Sequence, residues 1–110
     1  MFVFILLFTA ILITACAGGN NNEKKTTAGD TKAGLEVYKN NCLPCHGKDG
    51  VGGHNGPNLQ DSSMAKNRDA VINQVTNGGG NMPAFRDTLS KQKIRNVAAY
   101  ITKVVAPKGD

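Results

Sequence analysis

Cys42-Leu43-Pro44-Cys45-His46 packs two thiols and an imidazole into five residues. On a helix, positions i, i+3 and i+4 share one face, so both sulfurs and the ring point to the same side. This arrangement lets two thiols reach the two vinyl groups of a haem while the imidazole meets the iron, and C-x-x-C-H is read as a c-type haem attachment sequence. One haem c, fixed by thioethers to Cys42 and Cys45 with His46 as axial ligand, is the expected cofactor. The reaction needs reduced thiols and haem outside the membrane, which implies a maturation system. Nε2 of His46 would face the iron, with Nδ1 donating to a backbone carbonyl that fixes the tautomer.

The same residues admit other chemistries. Cys42, Cys45, His46 and His54 are nominally enough for a structural zinc site, yet adjacent Cys45 and His46 make an awkward tetrahedral pair and the second half of a finger is missing. A C-x-P-C thiol redox site is a further option, but such sites sit at the strand-to-helix junction of a βαβ pattern, and no such pattern exists here. A disulfide between Cys42 and Cys45 would close too small a loop to stabilise much. A haem held by His46 alone would keep an open position and act as a peroxidase or ligand sensor. Met82 offers a sixth ligand, because it stands between Gly78-Gly79-Gly80 and Pro83, where the backbone can hold it at one orientation. Met and His together raise the iron's reduction potential. His54, in a glycine-rich loop, reads as solvated, and Met64 as core filler.

The elements that must hold these groups are helices. Thr31 to Asn41 carries Leu35 and Tyr38 three apart and Ala33 and Val37 four apart, giving one apolar side, with Thr31 or Asp30 as cap. Arg68 to Asn77 is a second helix, stopped by Gly78-Gly79-Gly80. A third starts at Ser90, with Ile94, Val97, Ala98, Ile101, Val104 and Val105 in the i, i+3, i+4, i+7 pattern, and Pro107 is expected to end it. Residues 47 to 63 hold five glycines and one proline and read as loop. No segment alternates with period two, so the fold class is all-α: three to four helices with glycine-rich loops around one covalent haem.

Composition supports a cofactor-dependent core. Of the 110 residues 40% are hydrophobic, but Phe2, Phe4 and Phe8 are three of the four phenylalanines and there is no Trp. Tyr38, Phe85 and Tyr100 are the aromatics left to the rest of the chain. A domain this small needs a staple, a metal or a cofactor, and three cysteines cannot form a disulfide-dense scaffold.

Residues 2 to 15 form an apolar run, shorter than the roughly 20 residues that span a bilayer, which reads as a signal-peptide core over residues 1 to 15. An uncleaved anchor is the alternative. Ile13-Thr14-Ala15-Cys16 resembles the lipobox of bacterial lipoproteins, although no Lys or Arg precedes the apolar run. That resemblance implies acylation of Cys16, and a diacylglycerol plus an amide-linked chain gives the two signals stable anchoring needs. Residues 16 to 30 read as a polar linker with a span of about 20 Å, and residues 31 to 110 as the functional domain. The expected site is therefore the extracytoplasmic face of the cell membrane. Net charge is +5, which favours acidic partners. Nucleic acid is not expected, since no basic run exceeds Lys24-Lys25.

Further motifs carry a family resemblance. Gly56-Pro57-Asn58-Leu59, Met82-Pro83-Ala84-Phe85, Leu89-Ser90 and Val97-Ala98-Ala99-Tyr100-Ile101, together with the attachment sequence, resemble the small bacterial class I cytochromes c. The leader resembles that of lipid-anchored members from Gram-positive bacteria. The resemblance implies that the Pro57 carbonyl accepts from the ligand histidine, that Met82 is the second axial ligand, and that Gly34 and Tyr38 pack against Val97 and Tyr100. It implies a monomeric, membrane-tethered one-electron carrier, not an enzyme, working between complexes such as a quinol-oxidising complex and a terminal oxidase. One departure stands out: Lys91-Gln92-Lys93 follows the capping serine, where members often carry acids. Positive charge at a helix N-terminus costs a few tenths of a kcal/mol, so Lys91, Lys93, Arg86 and Lys48 are candidates for steering acidic redox partners.

Overall fold

A computed structural model describes residues 27–53 and 55–110. The leader, Cys16, most of the linker and His54 lie outside the described residues. Helix α1, Thr31–Asn41, is capped by Asp30, whose carboxylate accepts from the Ala33 N–H at 2.9 Å. The attachment residues form a one-turn helix α2, Leu43–His46, followed by a 3-10 turn over Lys48–Gly50. Short α3, Ser63–Lys66, leads into α4, Arg68–Asn77, and α5 covers Lys91–Tyr100. Ser62, Asn67 and Ser90 cap these three, each side chain accepting from the N–H three residues on. Such caps satisfy donors that the first helical turn leaves unpaired.

The three longer helices match the sequence expectation, with differences at the edges. Part of the stretch read as loop is helical, at Lys48–Gly50 and at the start of α3. Pro107 does not end the last helix: α5 runs on through a wide π-type turn, Ile101–Val105, into a 3-10 turn, Ala106–Gly109. Pro107 sits in the first turn of that segment, where no N–H is required. Thr27–Asp30, at the end of the stretch read as linker, lies against the body. The Asp30 N–H donates to Asn96 Oδ1 at 2.9 Å, and Arg68 donates to the Thr27 carbonyl. Among the described residues there is no strand, only one antiparallel bridge between Gly79 and Met82.

The core lies where α1 crosses α5. Tyr38, Val97, Ala98, Ala99 and Val105 are all at most 1% exposed, and burial of side chains the size of valine contributes roughly 1.5–3 kcal/mol each. The backbones meet at Gly34, where a Cβ would stand 2.0 Å from the Asn96 carbonyl oxygen. Only glycine permits that approach. The Tyr38 and Tyr100 rings pack with centroids 5.5 Å apart at 55°, as the resemblance implied. Buried Asn96 is held in place, its Oδ1 accepting from both the Asp30 N–H and Gln92 Nε2.

Candidate functional site

α2 exists because α1 ends on it. The Cys42 N–H closes α1 by donating to the Tyr38 carbonyl at 2.8 Å, and the Cys42 carbonyl then accepts from Cys45 and His46. Pro44 lies in the first turn, where its missing donor is not needed. Cys42, Cys45 and His46 therefore share one face and line a cavity of about 460 Å³, within the roughly 300–1,000 Å³ of small-molecule and cofactor sites. Val71 and Val75 of α4, Ile101, Pro57, Met82 and Phe85 also line it. The walls are mostly apolar.

Both cysteines are free, so the small disulfide loop is not formed. Burial, with the charge of Cys45 second, pushes the Cys42 thiol up to about 12. A thiol held protonated in this way is a weak nucleophile at neutral pH. Among the described residues, no three His, Cys, Asp or Glu side chains gather where they could hold a metal ion. The zinc reading loses support from the three donors it shared with the haem reading.

His46 Nδ1 lies 2.9 Å from the Pro57 carbonyl oxygen. A carbonyl only accepts, so Nδ1 carries the proton and Nε2 keeps its lone pair. The loop can come this close because residue 56 is glycine. A Cβ there would meet the Cys45 carbonyl oxygen at 2.6 Å and Nδ1 itself at 3.0 Å.

Met82 reaches the cavity from a tight turn in which Gly79 and Met82 exchange both backbone hydrogen bonds at 3.0 Å. The Phe85 N–H then ties the segment to the Val75 carbonyl of α4. Gln74 Nε2 donates to Met82 Sδ at 3.7 Å. The sequence reading passed over Gln74; its only signal was the spacing of three from Val71, which puts both on the cavity face of α4. Met64, on one-turn α3 beside buried Ala65, lines the same cavity. Lys48, Arg86, Lys91 and Lys93 are exposed, and Arg86 donates to Asn77 Oδ1 at 3.1 Å.

Two unpaired cysteines, an imidazole with a free ring nitrogen and a thioether around one apolar cavity fit a covalent haem. The family model "Cytochrome C oxidase, cbb3-type, subunit III" matches residues 29–101. The chain belongs to the class I c-type cytochromes. It is 37% identical over 76 residues to cytochrome c6 of Leptolyngbya boryana, covering 66% of this chain and 89% of that protein. With cytochrome c6 of Aphanizomenon flos-aquae the identity is 41% over 80 residues, covering 66% and 87%. The crystal structure of cytochrome c6 from the diatom Phaeodactylum tricornutum superposes with a TM-score of 0.59 at 36% identity, over 67% of this chain and 92% of that one. The fold is the all-α cytochrome c fold, and the cytochrome carries one covalent haem c and transfers electrons; it is not an enzyme.

Proposed function

We propose that this cytochrome is a membrane-tethered carrier in a respiratory or related electron-transport chain, with thioethers at Cys42 and Cys45, axial ligands His46 and Met82, and a lipid on Cys16. When bound, haem c supplies one-electron exchange between Fe(III) and Fe(II). The chain's own groups do the rest. Pro57 keeps the proton on Nδ1 of His46, which leaves Nε2 as donor and raises its basicity. Gln74 restrains the Met82 sulfur. With His and Met both engaged, no position remains for a substrate, and a fixed ligand pair keeps reorganisation on electron transfer small.

The observation that carries this reading is the convergence of Cys42, Cys45, His46 and Met82 on one cavity. Optical spectra of the oxidised and reduced protein test it. A c-type spectrum with a far-red methionine-to-iron band is expected, and Met82→Ala should abolish the band and lower the potential. Survival of the band in that variant sinks the ligand assignment.

The tether rests on the lipobox-like Ile13-Thr14-Ala15-Cys16 and the apolar run before it. Cys16→Ala should move the cytochrome from the membrane fraction to the soluble one. Quinol-oxidising and terminal-oxidase complexes with acidic docking surfaces are the proposed partners, met through Lys91, Lys93, Arg86 and Lys48. Reversing the charge of Lys91 and Lys93 should flatten the ionic-strength dependence of electron transfer.

A further inference from the structure

The loop that supplies the Pro57 carbonyl is bounded by two residues in an uncommon conformation. Asp49 has φ 61° and Asp61 has φ 63°, the only non-glycine residues with positive φ among those described. Aspartate is one of the few side-chain-bearing residues that visit left-handed backbone, and here tertiary contacts accompany it at both positions. Both residues are held by the same piece of chain, the C-terminal turn. Lys108 Nζ pairs with Asp49 Oδ1 at 2.9 Å, and the Ala106 carbonyl accepts from the Asp61 N–H at 3.4 Å.

The turn also reaches α3, where Lys66 Nζ pairs with Asp110 Oδ1 at 2.5 Å. Ala106, its first residue, and the preceding Val105 are fully buried. The π-type turn after α5 aims this segment, for the Ala106 N–H donates to the Ile101 carbonyl five residues back. Within the loop, Leu59 N–H donates to the Gly50 carbonyl at 2.7 Å and Gln60 Nε2 to the Asp49 carbonyl at 2.9 Å. These bonds pass the restraint at Asp49 and Asp61 on to the segment that carries Pro57.

We propose that the C-terminal segment Ala106–Asp110 is a latch on the His46 side of the haem site, its Lys108–Asp49 and Lys66–Asp110 pairs positioning the 49–61 loop so that Pro57 stays on His46 Nδ1. Lys66, Lys108, Asp49 and Asp110 are positioning residues, not ligands. The inference rests on the reading that His46 is an axial ligand supported by Pro57.

The test uses full-length holoprotein and exchange of the His46 ring N–H with solvent, followed by NMR in the reduced state at low salt. Wild type should show a slowly exchanging ring proton. Lys66→Asp combined with Lys108→Asp should speed its exchange about fivefold, the change that two exposed ion pairs of ordinary strength correspond to. Adding Asp110→Lys should restore part of the protection by re-forming one pair with reversed sign, and about 1 M salt should bring wild type close to the double variant. Unchanged exchange in a folded double variant overturns the latch. If the ring proton exchanges freely in wild type while the far-red band is intact, the Pro57 support is wrong and the latch falls with it. Loss of the band in wild type instead overturns the ligand reading.

Discussion

The two halves of this cytochrome are stabilised by different physics. Where α1 crosses α5, apolar side chains meet directly: Val97, Ala98, Ala99 and Val105 have no exposed surface, and Gly34 brings the backbones together. Around the haem cavity, buried Val71, Val75 and Ile101 form part of the wall, and the rest comes from loop segments held by backbone hydrogen bonds, Pro57 and Asn58 among them. The cavity half encloses an open space lined by Val71, Val75, Ile101 and Phe85, which the macrocycle would fill. One half is closed by its own side chains, and the other encloses a space that haem would fill; a single core cluster joins the two, so loss of haem is felt in both.

Preventing attachment breaks the comparison most severely. With Cys42→Ala and Cys45→Ala, residues 31 to 107 should be largely unfolded, any residual helix confined to the α1 and α5 sequences, as seen by circular dichroism and amide exchange. Cooperative melting at the holoprotein's temperature would show that the cavity half needs no haem. Next in size is Gly34→Val, which attacks the crossing itself. A Cβ at residue 34 has no room against the Asn96 carbonyl, so holoprotein stability should fall by about 3 kcal/mol or more in denaturant titration.

A smaller effect comes from Tyr38, which is 1% exposed and donates its hydroxyl to the Gly47 carbonyl at 2.8 Å, linking the two halves. Burial first, and the charges of Cys42 and Tyr100 after it, push its pKa up from 10.0 to about 12. A folded-state pKa raised in this way contributes stability that is fully present below the unfolded pKa and is lost as pH rises through the folded one. Burial alone keeps that direction in the holoprotein, so stability should decline as pH rises above about 10. Tyr38→Phe should flatten that decline, and a phenol titrating near pH 10 in the native protein would contradict it.

The smallest effect lies at the start of α5. Lys91→Glu and Lys93→Glu should raise stability by a few tenths of a kcal/mol each through the helix dipole while weakening association with acidic partners. Opposite signs in melting temperature and in the salt dependence of electron transfer would mark these lysines as kept for docking.

How much was legible in the sequence follows the same division. Helical spacing over Thr31–Asn41, Arg68–Asn77 and the stretch after Ser90 gave the long helices, because a period near 3.6 is a local property of the apolar positions. The attachment sequence gave Cys42, Cys45 and His46 for the same reason: i, i+3, i+4 is a local geometry. Asp30 was legible as a cap, but that Thr27–Asp30 lies against the body was not, because its partners Asn96 and Arg68 are distant in the chain. Pro107 was read as a stop because proline forbids an α-helical donor, yet a 3-10 turn starting beneath it needs none.

The sequence by itself determined the chemistry of this protein: two thiols and an imidazole on one helical face, a methionine held between glycines and a proline, and too few aromatics to fill a core unaided. Tertiary structure decided how those groups are supported. It brought Gly56 against His46, Gln74 against Met82, and Lys108 and Asp110 against residues 59 and 44 positions earlier in the chain. The physical reason is range. Attachment and helix formation use neighbours within one turn, whereas hydrogen bonds and ion pairs between distant residues exist only after the chain has closed on itself.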